Sequence, residues 1–198
     1  MLGLLALGDC SGYQLTKQIR RGLGQIWPRT ERQLYNDPKR LVQAGYITAS
    51  RELVGSRPRT VYSITRAGRA ALKRWLATET QPTALEFEGM VRVLMAEQGT
   101  LEQLRETLHT IAQQAEATRA EYAGWSAFLA DEGGDYPTRI HTNALAMHFM
   151  IGHFTHIIDW ANWALDATST WPDTKSPASS WAAEATAIFT DAAGHATA

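Results

Sequence analysis

The feature that most constrains the fold is a pair of apolar stripes with helical spacing. Leu101, Leu104, Leu108, Ile111, Ala115, Thr118, Tyr122, Trp125 and Leu129 alternate steps of three and four residues over four heptads. That is the pattern of a coiled-coil seam. Thr100 and Gln103 have the spacing of a capping box at its start, and Gly133-Gly134 ends it. After Pro137 a second stripe follows at Ile140, Ala144, Met147, Ile151, Phe154, Ile158, Ala161 and Leu165. Met150, Ile157, Trp160 and Ala164 widen this second face beyond what one neighbouring helix covers, which predicts another chain against it. Two copies are therefore expected to join through the stripes at 101–129 and 140–165. Around them, Leu85 to Gln98 reads as an apolar-rich helix, and Ala167 to Ser180, rich in Thr, Ser, Pro and Asp, as a loose segment. Trp181 to Ala193 reads as a last short helix.

The second stripe is not a membrane span. Ile140 to Ile158 is 19 residues without a formal charge, but it contains His141, Asn143, His148, His153 and His156, which a bilayer penalises. Met1 to Leu7 lacks the basic lead-in of a secretory signal. Cys10 is the single cysteine of the 198-residue chain, so an internal disulfide is excluded and a reducing, cytoplasmic setting is expected.

The net charge of -1 conceals a sharp division. Met1 to Ala77 carries 14 Lys and Arg against 4 Asp and Glu, and the remainder carries 5 against 16. The first part attracts a polyanion and the second repels it. Between them, Thr78 to Thr83 is polar, contains Pro82 and marks a boundary. We expect a basic domain at 1–77 and an acidic helical domain at 83–198.

The basic part has the order short helix, helix, helix, two strands, helix. Ser11 is placed to cap a helix from Tyr13 to Leu23, on which Tyr13, Leu15 and Ile19 are the apolar positions. Thr30 and Gln33 form a second capping-box spacing, so a helix opens at Glu31 and runs toward Ala44, where Gly45 closes it. Leu34, Pro38 and Leu41 fall on its inward face. Tyr46 to Val54 and Thr60 to Ile64 read as strands, with Gly55-Ser56-Arg57-Pro58 as turn chemistry between them. Thr65 caps a closing helix on which Gly68, Leu72, Trp75 and Leu76 share a stripe. The whole is a mainly α protein with one β-hairpin, and its head has the parts of a winged helix-turn-helix module.

In that geometry the helix from Glu31 lies in a major groove of double-stranded DNA and the hairpin tip meets the backbone or minor groove. Arg32 and Lys39 can donate to guanine or phosphate, Gln33 and Asn36 can pair bidentately with adenine, and Tyr35 can bond a phosphate or pack on a thymine methyl. Arg57 and Arg59 flank Pro58 at the tip, and Tyr13 and Lys17 on the preceding helix are placed for phosphate contacts. A two-fold dimer would set two such helices about 34 Å apart, matching an inverted-repeat operator.

These residues also carry a resemblance. Leu2-Gly3-Leu4-Leu5, Ser11-Gly12-Tyr13-Gln14-Leu15, Leu34-Tyr35, Lys39-Arg40-Leu41, Gly45-Tyr46-Ile47, Arg57-Pro58-Arg59, Tyr62, Thr65, Ala67-Gly68-Arg69 and Trp75-Leu76 resemble the PadR family of transcriptional regulators over nearly the whole basic head. The resemblance implies a winged head, a helical C-terminal dimerisation domain, and a homodimeric repressor released by a small molecule. Two departures stand out. Asn36-Asp37-Pro38 replaces the family's usual Pro-Ala-Leu after the Tyr, putting a proline inside the reading helix at a cost of about 3 kcal/mol in a regular helix, so a kink is expected. Family members also commonly carry several residues before the Leu-Gly-Leu-Leu segment, so the first helix is expected to be short or the start assigned late.

Trp125, Phe128, Met150, Phe154, Trp160 and Trp163 could line a flat pocket for an aromatic or hydrophobic effector between paired helices. His153 and His156 sit i,i+3, and with His148 or Asp159 a metal site can be drawn, but one helix does not bring three such ligands to a point; no metal or cofactor is expected. Cys10 reads as a small buried thiol. No Gly-rich phosphate loop, Gly-x-Ser-x-Gly elbow or paired carboxylates occur, so no enzyme is expected. The rival reading is a small-molecule- or metal-binding helical protein without specific DNA recognition.

Overall fold

A computed structural model describes residues 1–28, 30–54, 57–134 and 136–194, with the side chains of Val54 and Arg57 outside the described set. The chain divides into two compact units, Met1–Thr83 and Ala84–Ala198.

In the first unit the elements are α1 (Leu2–Leu5), β1 (Cys10–Ser11), α2 (Gly12–Leu23), α3 (Glu31–Gln43), β2 (Ile47–Val54), β3 (Arg57–Ile64) and α4 (Arg66–Leu76). Each major helix starts where an oxygen side chain satisfies its orphan amides. Ser11 accepts from Gln14 N, Thr30 from Gln33 N and Thr65 from Gly68 N. Gly45 ends α3 at a φ of 71°, and the Tyr46 amide then donates back to the Leu41 carbonyl at 3.0 Å. Pro38 does not break α3, which runs uninterrupted from Glu31 to Gln43 with Leu34 and Pro38 buried on one face. Leu5, Cys10, Leu15, Ile19, Leu34 and Ile47 form the core, with Leu41, Tyr62 and Ile64 packed against it.

The sheet order is β1-β3-β2, all antiparallel. β1, two residues long, is an addition to the expected hairpin; so short a strand leaves no alternation to read. It pairs only with Val61 and Tyr62, so from Thr60 outward the hairpin is two-stranded and forms the wing. β3 begins at Arg57 rather than Thr60. Pro58 sits opposite Leu53 in the ladder, tolerated because β3 has only one neighbour there and its missing N–H is not required by a second.

The second unit contains α5 (Glu88–Leu94), a 3-10 turn at Ala96–Gln98, α6 (Leu101–Glu132), α7 (Ile140–Ala167), α8 (Pro177–Ser180) and α9 (Ala182–Gly194). Here the expected use of the stripes is corrected. Ala115 and Tyr122 of α6 share a core with Met150, Phe154 and Ile158 of α7, and Ile111 and Ala112 share one with Ala161. The two seams therefore pair with each other inside one chain, antiparallel, across the turn carrying Gly133 and Gly134 at φ 70° and 68°. The reason is local: a helix returning after a short turn meets its predecessor at a high effective concentration. The widened face of α7 is covered in part by α5, whose neighbour Phe87 meets Trp160 edge-on at 6.5 Å between ring centroids. Leu145 and Phe149 remain 74% and 62% exposed.

The stretch expected to be loose holds local order. Thr168 and Pro177 are buried, and the Arg105 guanidinium donates to the Thr168 and Ser169 carbonyls. The Asp173 carboxylate accepts from Lys175 N, Ser176 N and Ser176 Oγ. Trp171 and Trp181 meet edge to face, their ring centroids 5.5 Å apart.

Candidate nucleic-acid interface

α3 presents two opposite faces. Leu34 and Pro38 anchor one in the core, and Arg32, Tyr35, Asn36 and Lys39, at i, i+3, i+4 and i+7, form an exposed stripe on the other. Tyr35 is 63% exposed, so its ring is available to a partner rather than to the core. On α2, Tyr13 and Lys17 are exposed one turn apart, while Leu15 and Ile19 are buried.

Several of the head's charged groups are engaged. Arg20 at the end of α2 pairs with Glu31 at the start of α3. Arg69 on α4 donates to the Ala6 carbonyl at 3.2 Å. In the wing, Arg59 lies opposite Glu52 in the ladder and its guanidinium meets the carboxylate at 3.2 Å. The backbone of Arg57 is in β3, and its side chain lies outside the described residues.

Gln33 is exposed, yet its carboxamide is occupied. Its Oε1 accepts from Thr30 N at 3.0 Å and from Thr30 Oγ1 at 3.2 Å, closing the capping box of α3.

Glu52 was not foreseen. Arg57 and Pro58 read as turn chemistry in the sequence; once Val54 pairs with Arg57, Glu52 necessarily faces Arg59. Arg40 on α3 and Arg51 on β2 are further exposed cations of the head that sequence reasoning left out of the interface. Arg51 sits opposite Thr60, in the alternate register to Arg59, so the wing presents charge on both faces.

Of the six residues expected to meet an effector, Trp125 is half-buried on α6, and the other five fall in different places. Met150 and Phe154 are buried with Tyr122, Trp160 packs in a separate cluster with Phe87, and Phe128 and Trp163 are exposed. A shallow groove runs along Met95, Gly99, Thr100, Gln103 and Thr107 and is lined by none of the six. Among the described residues no three His, Cys, Asp or Glu side chains converge as metal ligands. His153 instead stacks on Phe149 and meets Phe154 edge-on. Among the described residues no helix is long and apolar enough to cross a membrane. Cys10 is buried, and burial, then the Asp9 charge, push its thiol pKa up, the reverse of an activated nucleophile.

Helices carrying an exposed polar stripe, followed by a two-stranded wing, define a winged helix-turn-helix head. Residues 1–74 match the family described as "Transcriptional regulator PadR-like family". The negative transcriptional regulator PadR of Bacillus subtilis is 35% identical over 77 residues, 38% of this chain and 42% of that protein. The match thus spans about two-fifths of that relative's length. Among solved structures, Bacillus subtilis PadR in complex with operator DNA shares 21% identity at a TM-score of 0.73, covering 85% of this chain and 94% of that one. The same protein in complex with p-coumaric acid shares 21% at a TM-score of 0.63, covering 84% and 95%. These structural likenesses establish a common fold across both units.

Proposed function

We propose that the chain is a homodimeric DNA-binding transcriptional regulator, a repressor released by a small-molecule effector. The observation that carries this reading is the exposed stripe Arg32, Tyr35, Asn36 and Lys39 on the second long helix of a PadR-like head. Tyr13, Lys17 and the wing cations Arg57 and Arg59 supply backbone contacts, so affinity comes from neutralised phosphates and selectivity from α3. Gln33 belongs to this surface by position.

The partner is double-stranded DNA carrying an inverted repeat, read by two copies joined through their acidic units. Leu145, Phe149 and Trp163, exposed along one side of α7, are the residues we assign to that contact. A small aromatic or hydrophobic effector is supported by the p-coumaric acid complex of the similar protein. Phe128 and Trp163 are the exposed members of the aromatic set. We place the protein in the cytoplasm, in keeping with its one buried thiol, and read it as a binding protein rather than an enzyme.

The test is selection of bound fragments from random duplex DNA, followed by fluorescence anisotropy at several salt concentrations. A palindromic consensus, bound far more tightly than random duplex and with log affinity falling linearly in log salt, is expected. Retention of no sequence in preference to any other would favour a helical ligand-binding protein without specific DNA recognition.

A further inference from the structure

Three helices of this chain open with the same device. Ser11 N donates to Gln14 Oε1 at 3.0 Å, Thr30 N to Gln33 Oε1 at 3.0 Å and Thr100 N to Gln103 Oε1 at 2.9 Å. In each, the backbone N–H of the glutamine donates in return to the hydroxyl. Gln103 belongs to the acidic unit, which repels a polyanion, so its geometry cannot be a preparation for DNA. Gln33 has the same geometry on the reading helix. Both acceptor positions of its oxygen are filled, by Thr30 N and Thr30 Oγ1. Bidentate recognition of adenine needs the carboxamide oxygen to accept from N6 while the nitrogen donates to N7. Gln33 can do this only by giving up one of the bonds that close the cap of α3.

Asn36 stands one turn further on. It is exposed between Arg32 and Lys39 on the outward stripe, and among the described residues no hydrogen bond engages its carboxamide. Its oxygen and nitrogen are both available, and it lies in the first half of α3, the part of a recognition helix that meets base edges.

We infer that Asn36 is the specificity-determining residue for an adenine, and that Gln33 is a positioning residue that holds the start of α3 and reads no base. This rests on the DNA-binding reading above. The experiment takes the full-length chain, its selected duplex and a series of duplexes with one base pair changed at a time. Asn36→Ala is expected to abolish discrimination at one base pair, a loss of about tenfold or more there, and to leave the other positions as in the wild type. Gln33→Glu keeps an acceptor for the Thr30 amide, since glutamate serves the capping box as well, but cannot donate to N7. It is expected to weaken binding to every duplex by a common factor, from its added negative charge, with discrimination at each base pair unchanged and the helical circular dichroism retained.

Loss of discrimination at one base pair in Gln33→Glu, or a full wild-type profile in Asn36→Ala, overturns the assignment. A wild-type chain that prefers no duplex over random sequence would instead remove the DNA reading itself, and this inference with it. The two failures are distinguishable because the first leaves wild-type selectivity intact.

Discussion

Gly68 is the position in the head where one methyl group should do the most damage. A Cβ there would lie 2.1 Å from the Tyr46 carbonyl oxygen and 2.9 Å from Ile64 Cγ1. Carbon and oxygen approach comfortably only at about 3.3 Å or more, so α4 would have to retreat by about 1 Å. The same carbonyl receives the Thr65 amide at 3.0 Å, and the Thr65 hydroxyl accepts from Gly68 N at 3.0 Å, so the retreat disturbs the cap as well. Overpacking costs about 1–3 kcal/mol and a lost cap about 1 kcal/mol, against about 1 kcal/mol regained from the better helix former. Gly68→Ala is therefore expected to destabilise the head by about 2 kcal/mol, lowering its melting temperature by about 10 °C in a unit of this size. Gly22→Ala on α2 is the control, because a Cβ there meets nothing within 4 Å; it should stabilise by about 0.4–1 kcal/mol. Calorimetry of the intact chain measures both, with hydrogen exchange at α4 and β2 identifying the head transition. A Gly68→Ala protein melting at or above the wild type, or a Gly22→Ala protein damaged equally, would refute the close-approach argument.

Glu52→Gln frees Arg59 from its cross-strand partner, so affinity for any duplex should rise a few-fold, in line with the roughly 0.2–1 kcal/mol of an exposed ion pair. The salt slope should steepen by about 0.9, and anisotropy titrations showing an unchanged slope would mean Arg59 meets no phosphate. Leu145→Lys combined with Phe149→Lys should shift the chain toward monomer in analytical ultracentrifugation; an unaltered dimer constant would put the interface elsewhere. Cys10 should react with a disulfide reagent far more slowly in the native chain than in urea, since burial and Asp9 hold its pKa above the ordinary thiol value. By linkage, the thiol's contribution to stability is full below the unfolded-state pKa and declines as pH rises past it. Equal native and unfolded reaction rates at pH 8 would contradict the burial.

Much of the head was legible because its signals are local. Ser11, Thr30 and Thr65 each announce a helix by standing before an amide they can satisfy, and Gly45 announces an end by tolerating φ of 71°. Leu34 and the exposed Arg32, Tyr35, Asn36 and Lys39 follow from helical period alone. What escaped was non-local. The pairing of Glu52 with Arg59 depends on where β3 resumes, and a single proline at 58 was enough to hide it, because proline marks turns more often than strands. Gln33 satisfied two patterns at once, cap and base reader. Only the hydrogen bonds to Thr30 decide that its oxygen serves the cap.

The seams make the same point on a larger scale. Every member of the 101–129 stripe is buried or half-buried, so periodicity identified which side of α6 must be covered. Periodicity carries no information about what covers it. The covering helix is α7 of the same chain, as the Tyr122 and Phe154 rings stacked 6.0 Å apart record. The first seam is therefore closed inside each protomer, and the second is closed along its Phe154 to Ala161 core. The Leu145 and Phe149 side of α7 is left outside this pairing, which is why it is the surface proposed for self-association. A ligand entering between α6 and α7 would have to displace Met150 and Phe154 from a packed core, at about 2–5 kcal/mol for each large side chain dislodged. An effector seated against Phe128 or Trp163, which are already exposed, meets no such cost.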